Sequence, residues 1–268
     1  MLEKRNRLPN SQVSVAAIFR YPVKGLSPEP LARVALAPGE CLPHDRRFAI
    51  ARATASFDPQ RPEWLPKTNF YMLMRDERLA QLRTRFDAQS GLFTIERGQT
   101  LLRASLTEAT GREQINAFFA DFLADSPGGP PRIAEAPGHT FSDAKRRPDS
   151  TTYKYVSLVN LASIGELERI VGVPVDPLRF RANLYHMGAP AWAELGWVDS
   201  HIMVGNARLR VVSAITRCAA TTVNPETAAR DLNIPAILQE KFGHNYMGVY
   251  AEVVAGGEVV TGDLLVPL

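Results

Sequence analysis

Short apolar runs interrupted by proline and glycine are the feature that most constrains how this chain can fold. Its 268 residues include 20 Pro and 18 Gly, and the runs between them have the length and β-branched content of strands rather than helices. The candidate strands are residues 13–19, 31–37, 47–51, 91–97, 99–105, 154–160, 179–187, 207–215 and 249–255. The pattern predicts an α+β protein that is mainly β.

One of these runs, RFRANLYHM, has a polar face. Phe180, Ala182 and Leu184 are apolar. Arg181 and Asn183 alternate with them, so on a strand they point to the opposite side of the sheet. Two polar side chains on one strand face predict a shared partner, such as a single anion.

Helical signals are fewer. Residues 111–125 carry large apolar side chains at helical spacing, and Ser163 and Glu166 stand in capping-box register before a second apolar stripe. Pro225 suits the first position of a short helix, and residues 234–242 form a further helical segment ending before a glycine. We expect one helix pair in the N-terminal half.

The Pro- and Gly-rich segment DSPGGPPRIAEAPG, residues 125–138, is the best candidate for a linker. It predicts two domains, residues 1–130 and residues 131–268. The first is expected to be β-rich, and the second to be a larger domain whose strands build a barrel-like sheet with peripheral helices.

Composition indicates a globular protein: 45% of residues are hydrophobic and 22% charged, and the net charge is +3. That charge is too small and too evenly spread for a nucleic-acid surface, but it suits a small anionic ligand. No apolar run has the length of a membrane span, and the N-terminal run is broken at Arg20 and Pro22. Two distant cysteines predict free thiols in a reducing compartment, so we expect a cytoplasmic protein.

The stretch ITRCAATTVNPET, residues 215–227, places Cys218 directly after Arg217 among threonine hydroxyls. A cysteine that follows an apolar strand is usually a small buried hydrophobe. The polar, electropositive neighbours favour a thiolate instead, which acts as a nucleophile or a metal ligand. None of the five histidines stands in a cysteine-protease signature, and close Cys or His pairs for zinc are missing from the sequence. A single thiolate suits a metal whose other ligands come from a cofactor such as a dithiolene.

Three segments of the C-terminal half resemble the MOSC domain, named for the C-terminal part of molybdenum-cofactor sulfurases. They are RFRAN, GNARLRVVSAITRCAATTVNPET and FGHNYMGVYAEVVAGGEVVTGDLL. In the first half, YPVKGLSPEPL and HDRRFAI resemble the β-barrel domain that precedes MOSC in the amidoxime-reducing components and their bacterial relatives. The resemblance covers nearly the whole chain, and its most specific part is the Arg-Cys pair followed by TTVNPET.

The resemblance implies a site. Cys218 falls on the protein ligand to molybdenum, and Asn183 falls beside it as a second catalytic residue. The residues implied to bind the phosphorylated pterin are Lys24, Arg46, Lys67, Asp149, Ser150, Arg181, Asn183, Thr216 and Arg217. Structural roles without ligand binding stay open for two of these residues. A turn lysine such as Lys24 is often solvated, and Arg46 can lie on an exposed strand edge. Gly25 stands where relatives often have serine, which leaves Ser27 as a substitute.

Cys41 and His44 precede Arg46 and have two interpretations each. Cys41 is either a structural thiol at a strand end or a neighbour of the cofactor. His44 is either a surface residue or a ligand, and a lone histidine beside a charged turn is more often the former.

The implied function is a molybdenum oxidoreductase that reduces small N-hydroxylated or N-oxide-type substrates. Because two cysteines cannot hold an iron–sulfur centre, the electrons are expected from a separate reductase or ferredoxin-like protein. The alternative is a carrier that delivers molybdenum cofactor or sulfur on Cys218 without substrate turnover. A third possibility is a fold that has lost its cofactor. The resemblance also implies pyridoxal phosphate binding, a property given to MOSC domains as a class.

Overall fold

The computed structural model describes residues 12–150 and 152–268, which contain fifteen strands and three α-helices. The strands are β1 Ser14–Arg20, β2 Glu29–Leu31, β3 Arg33–Leu36, β4 Ala49–Ala51, β5 Arg83–Phe86, β6 Leu92–Arg97, β7 Thr100–Ser105, β8 Arg132–Ala134, β9 Val156–Asn160, β10 Leu184–Met187, β11 His201–Val204, β12 Ala207–Thr216, β13 Tyr246–Ala255, β14 Gly257–Val260 and β15 Leu265–Pro267. The helices are α1 Ala109–Phe122, α2 Leu161–Val171 and α3 Ile234–Phe242. The predicted mainly β class is confirmed.

Eight strands form one curled sheet in the order β15-β11-β12-β13-β9-β10-β1-β2. The sheet curls so far that the start of β1, near one end of the sheet, meets β15 at the other end. Two hydrogen bonds join them: Val15 N–H donates to Asp263 O and Leu265 N–H donates to Val13 O, both at 2.8 Å. Strands β1 and β2 therefore lie in the same sheet as strands from the far end of the chain. The predicted domain boundary near residue 130 stays a prediction.

Alternation along the strands gives this sheet its buried face. In β12, Leu209 and Val211 are fully buried on one face, whereas Arg208, which points to the opposite face, is exposed. The buried side chains that pack inside the curl are Val15, Ile18, Val156, Leu158, Leu184, Ile202, Val204, Leu209, Val211, Val249, Ala251 and Val253. Each large aliphatic side chain contributes about 1.5–3 kcal/mol through burial, so this core holds the long strands that carry the site.

A second core lies in the N-terminal half. Strands β5, β6 and β7 form an antiparallel sheet, and α1 packs on it through Ile115, Phe119 and Phe122 at helical spacing. The helix predicted over 111–125 is thus confirmed. Its expected partner is not an α-helix, since the other helical segments described in this region are the short 3-10 helices Lys67–Asn69 and Glu77–Gln81.

Three local predictions were wrong. Pro177–Phe180 is a 3-10 helix and Arg181 has a φ of 52°, so the RFRAN segment turns into β10 instead of forming its first half. Helix α2 is capped by Asn160, whose side chain accepts from Ala162 N–H at 3.0 Å, and not by Ser163. Pro225 lies in a turn rather than a helix.

Ser163 does not cap the helix because its side chain is buried against Glu194. Its hydroxyl donates to Glu194 at 3.0 Å and accepts from Trp192 N–H at 2.8 Å. Helix α3, in contrast, ends as predicted: Gly243 follows it with a φ of 75°, a left-handed C-cap that glycine adopts without strain.

No α-helix in residues 12–150 or 152–268 combines the length and the apolar character needed to cross a membrane.

Buried His186 predicts a pH dependence of stability. Burial lowers its pKa to about 4, and neither ring nitrogen has a hydrogen-bond partner among the described residues. Between pH 6.5 and 4 the unfolded chain binds the proton that the folded protein excludes, so stability falls as the pH falls through this window. We expect a loss of about 2–3 kcal/mol between pH 7 and pH 4.5 from this group, measured by urea unfolding.

The matched variant is His186→Leu, which removes the titration and keeps an apolar side chain against Trp197, whose ring centroid lies 5.1 Å away. Its unfolding free energy should depend less on pH over the same window. His139, whose pKa burial also lowers to about 4, leaves a residual slope. Parallel pH profiles for both proteins would contradict the prediction.

Candidate active site

A cavity of about 570 Å³ opens where the first residues after β1 meet the end of β12. Eight of the side chains expected at the site line it: Lys24, Arg46, Lys67, Arg181, Asn183, Thr216, Arg217 and Cys218. They come from opposite ends of the sequence, and the curled sheet brings them together. The cavity has the size of a site for a small organic molecule or cofactor.

Cys218 lies two residues beyond the end of β12, directly before the 3-10 helix Ala219–Thr222. Its carbonyl accepts from the backbone N–H and from the hydroxyl of Thr221, both at 3.0 Å. These two bonds fix the backbone that carries the thiol. The side chain is half-buried on the cavity wall, and the thiol is free.

Lys24 is buried with 6% of its surface exposed, which rules out a solvated turn lysine. Its Nζ donates to Phe141 O at 2.8 Å and contacts Asp143. Burial lowers the pKa of Lys24, and Asp143 opposes that shift. An ammonium has three N–H donors, so one remains for a ligand.

Arg46 is held in the left-handed region, with a φ of 49°. Its guanidinium pairs with buried Asp45 and donates to Arg181 O at 2.9 Å. Although burial lowers the pKa of Arg46, the Asp45 carboxylate more than offsets it, so the net shift is upward. Arg46 is therefore a permanent cation on the wall and not an exposed strand edge.

Two further guanidinium groups are held by backbone carbonyls instead of carboxylates. Arg181 donates to Leu26 O at 2.8 Å, and Arg217 donates to Phe180 O at 2.8 Å and to Met247 O at 2.9 Å. Within the part of the chain that the structure describes, neither has an ion-pair partner. Burial lowers the pKa of both, that of Arg181 to about 10.

The charge of the cavity is strongly positive. Seven cationic side chains line it: Lys24, Arg46, Lys67, Lys145, Arg179, Arg181 and Arg217. Two carboxylates, Asp45 and Asp143, face them. Like charges concentrated in a partly buried site are costly without counter-charge, so the cavity is built to take an anion.

Asn183 reaches the cavity with most of its hydrogen bonds already made. Its Oδ1 accepts from Ser157 N–H at 3.1 Å and from the Ser157 hydroxyl at 2.9 Å, and its Nδ2 donates to Phe19 O at 3.2 Å. One N–H of Nδ2 is left. Asn183 thus ties three chain segments together at the wall.

Asp149 and Ser150 do not reach the cavity. Asp149 accepts from Arg210 at 2.8 Å and from Arg147 at 3.1 Å, while the Ser150 hydroxyl donates to Glu252 at 3.0 Å. They belong to a separate ion-pair cluster beside β12 and β13. Ser27 is also elsewhere, with its hydroxyl donating to Leu82 O at 3.0 Å.

Of the two residues with open interpretations, Cys41 lies at the cavity and His44 does not, and further wall residues were not predicted. Cys41 lines the cavity, and burial raises the pKa of its thiol to about 12, so it is a neutral neighbour of the site. His44 lies outside this cavity, where it faces Arg47 at 3.3 Å. Tyr250 lies opposite Ser213 in the β12–β13 register, so strand alternation was its available signal. The segment 72–74 and Asp143 carried no local signal.

Comparison with known proteins supports an assignment for the C-terminal part. The sequence model of the MOSC domain family matches residues 138–266. The chain is 29% identical over 100 residues to mitochondrial amidoxime-reducing component 1 of Homo sapiens, covering 36% of this chain and 29% of that protein. Its Mus musculus counterpart is 31% identical over 93 residues, covering 34% of this chain and 27% of that protein. The matched region is thus under a third of either relative.

Among solved structures, the YUAD protein from Bacillus subtilis superposes with a TM-score of 0.41 at 12% identity, covering 95% of this chain and 94% of that one. YiiM from Geobacillus stearothermophilus gives a TM-score of 0.34 at 18% identity, covering 42% of this chain and 53% of that one. Residues 138–266, which carry Cys218, Arg181 and Asn183, are thus similar to the MOSC domain family.

Proposed function

We propose that this protein binds molybdenum cofactor and reduces N-hydroxylated or N-oxide-type substrates, with Cys218 as the protein ligand to the metal. The observation that carries the proposal is the convergence of the Cys218 thiol with half-buried, carboxylate-free Arg181 and Arg217 in a single cavity. The partial likeness to amidoxime-reducing components supports the same class of reaction.

The cavity fits the cofactor chemically. A pterin phosphate supplies the negative charge that the excess of cations requires, and a thiolate is a suitable soft ligand for a metal whose other ligands come from the pterin. When bound, the cofactor supplies two-electron oxygen-transfer chemistry. The volume of about 570 Å³ is sufficient for a ligand of this class.

The residues of the chain then have distinct tasks. Lys24, Arg46 and Arg181 hold the anionic pterin, and Lys67 adds positive charge at the cavity wall. Arg217 keeps the backbone next to Cys218 in place through its bonds to Met247 O and Phe180 O. The free N–H of Asn183 orients a ligand beside the thiolate, and Thr216 offers a hydroxyl on the same wall.

The overall reaction consumes two electrons and two protons. The N–O bond of the substrate breaks, its oxygen leaves as water, and the nitrogen is reduced as the electron donor is oxidised. Separate electron-donating proteins, a reductase or a ferredoxin-like protein, would supply the electrons. The chain's contribution is to bind, orient and charge-compensate the reacting groups.

The test uses protein produced in a host that makes molybdenum cofactor. We expect about one molybdenum per chain by elemental analysis, and reduction of benzamidoxime with reduced methyl viologen as an artificial donor. Metal without reduction by any donor would favour the carrier function instead. Metal-free protein from such a host would contradict both functions and favour a fold that has lost its cofactor.

A further inference from the structure

A small apolar side cavity of about 50 Å³ lies next to the large one. Its walls come from both halves of the chain: Leu26, Leu79 and Leu82 from the first, and Leu178 and Val223 from the second. A single water needs only about 10–15 Å³ in the same measure. The side cavity is therefore roomy enough for a small hydrocarbon group, and most of the residues that line it are apolar.

The side cavity adjoins the large cavity on the side of Cys218. Leu73 and Ala220 line both cavities, and Ala220 is two residues from Cys218 in the same 3-10 turn. A group attached to an atom that reacts in front of the thiol is thus within reach of the side cavity. Arg179 and Arg181 border both cavities, and Arg83 lines the side cavity alone; the other cations of the large cavity do not line the side cavity.

Arg230 fixes the geometry of this border. One of its guanidinium nitrogens donates to Leu73 O and Met74 O, both at 3.1 Å, and pairs with Glu77 at 2.9 Å. The other donates to Ala219 O at 3.1 Å and to the Thr222 hydroxyl at 2.8 Å. A single side chain therefore clamps the segment 73–77 to the turn that begins at Cys218.

Gly25 permits the close approach of the same segment. Its φ is +83°, and a Cβ built there would lie 3.3 Å from the Met72 Cα. A serine at this position would be strained in this backbone conformation. Gly25 and Arg230 thus both contribute to the position of the segment 72–77, which borders the two cavities.

We infer that the side cavity is a subsite for the apolar part of the substrate, an aryl or alkyl group attached to the N–O centre, and that Arg230 is the positioning residue of that subsite. The inference rests on the proposed function and adds to it a preference for apolar N-oxygenated substrates. Because a phenyl group buries more apolar surface in the subsite than a methyl group does, we expect a phenyl-bearing substrate to bind at least tenfold more tightly.

The kinetic test compares benzamidoxime with acetamidoxime, which has a methyl in place of the phenyl. We expect the wild-type KM for benzamidoxime to be at least tenfold lower. Leu73→Asn should raise that KM at least fivefold and change the KM for acetamidoxime less than twofold. The matched control is Leu101→Asn, at a leucine 53% exposed on β7 and outside both cavities. Equal effects on both substrates, or none, would overturn the inference.

A binding test separates this inference from the proposed function. Benzamidoxime added to the protein should shift the backbone amide NMR signals of Leu73, Ala220 and Val223, and acetamidoxime should not. Shifts without turnover would leave the subsite standing while the reductase function fails. Turnover without these shifts would overturn the subsite alone.

In Arg230→Ala, a change in KM without a matching change in kcat is the readout that a merely structural role would not give. Hydrogen exchange of the amides in 72–77 should speed up at least tenfold, and the KM for benzamidoxime should rise at least fivefold with kcat within threefold of wild type. Arg230→Lys, which keeps the charge but not the fork of donors, should lie in between. A fall in kcat with KM unchanged would contradict the positioning role.

Discussion

Cys218→Ser is expected to abolish benzamidoxime reduction, by at least 1000-fold in kcat/KM, equivalent to about 4 kcal/mol of transition-state stabilisation. A serine hydroxyl stays protonated at neutral pH and is a hard donor, so it does not replace a soft thiolate. Elemental analysis of the purified variant should show that most of the molybdenum is lost. Thermal unfolding of the metal-free forms should coincide, because the half-buried thiol contributes little packing.

The matched control is Cys41→Ser, the other thiol on the same cavity wall. Because burial raises the pKa of Cys41 to about 12, it is not a thiolate at neutral pH. This variant should keep its molybdenum and at least a third of the wild-type rate. If Cys218→Ser retained both metal and rate, the sulfur would not be the metal ligand.

Asp76→Asn is expected to destabilise the protein by about 3–5 kcal/mol, since it strips the counter-charge from a buried arginine. Arg52 and Asp76 pair at 2.8 Å with side chains only 5% and 2% exposed. The guanidinium also contacts Pro127 O and stacks on Tyr71 at 4.2 Å. The same segment continues into the cavity wall at 72–74, so the loss should also loosen that wall. Urea unfolding measures the difference.

Glu258→Gln is the control for the loss of a carboxylate charge. Glu258 pairs with Arg33 at 3.0 Å across β14 and β3, but the two side chains are 44% and 70% exposed. Water and salt screen such a pair, and we expect a change below about 0.5 kcal/mol. Similar losses in both variants would show that burial is not what makes the Arg52 pair important.

Much of the sheet was predictable because strand alternation and the buried face agree. Strands β12 and β13 and helix α3 carry periodic apolar residues bounded by turn signals, and they formed where expected. The strand predicted for the RFRAN segment did not form, because its alternation of apolar and polar residues is accidental. Asp176 accepts from Leu178 N–H at 2.8 Å, and Pro177 directly follows Asp176. Asp-Pro is a helix-start signal, and here it outweighed a period of two.

The site divides in a similar way. Cys218 and the basic and polar residues predicted with it stand in recognisable motifs, and eight of these side chains line one cavity. Segment 72–74 and Asp143 could not be anticipated, because they are placed by contacts such as Arg230 with Leu73 and Lys24 with Asp143, more than 100 residues apart in sequence. Local patterns carry no record of such contacts. Asp149 and Ser150 show the converse. A local likeness predicts them at the cofactor site, but their bonds to Arg210, Arg147 and Glu252 hold them in a separate cluster.

The curled sheet also dictates when the cavity can exist during synthesis. Strand β1 pairs with β10, and its start is bonded to residues just before β15, so the first strand waits for partners made about 170 residues later, some 10–30 s at ordinary ribosomal rates. Pairings this distant also slow the folding reaction itself. Loading of any ligand into the cavity must follow synthesis of β13, which carries the wall residue Tyr250, and until then the edge of the nascent N-terminal strand is open to aggregation.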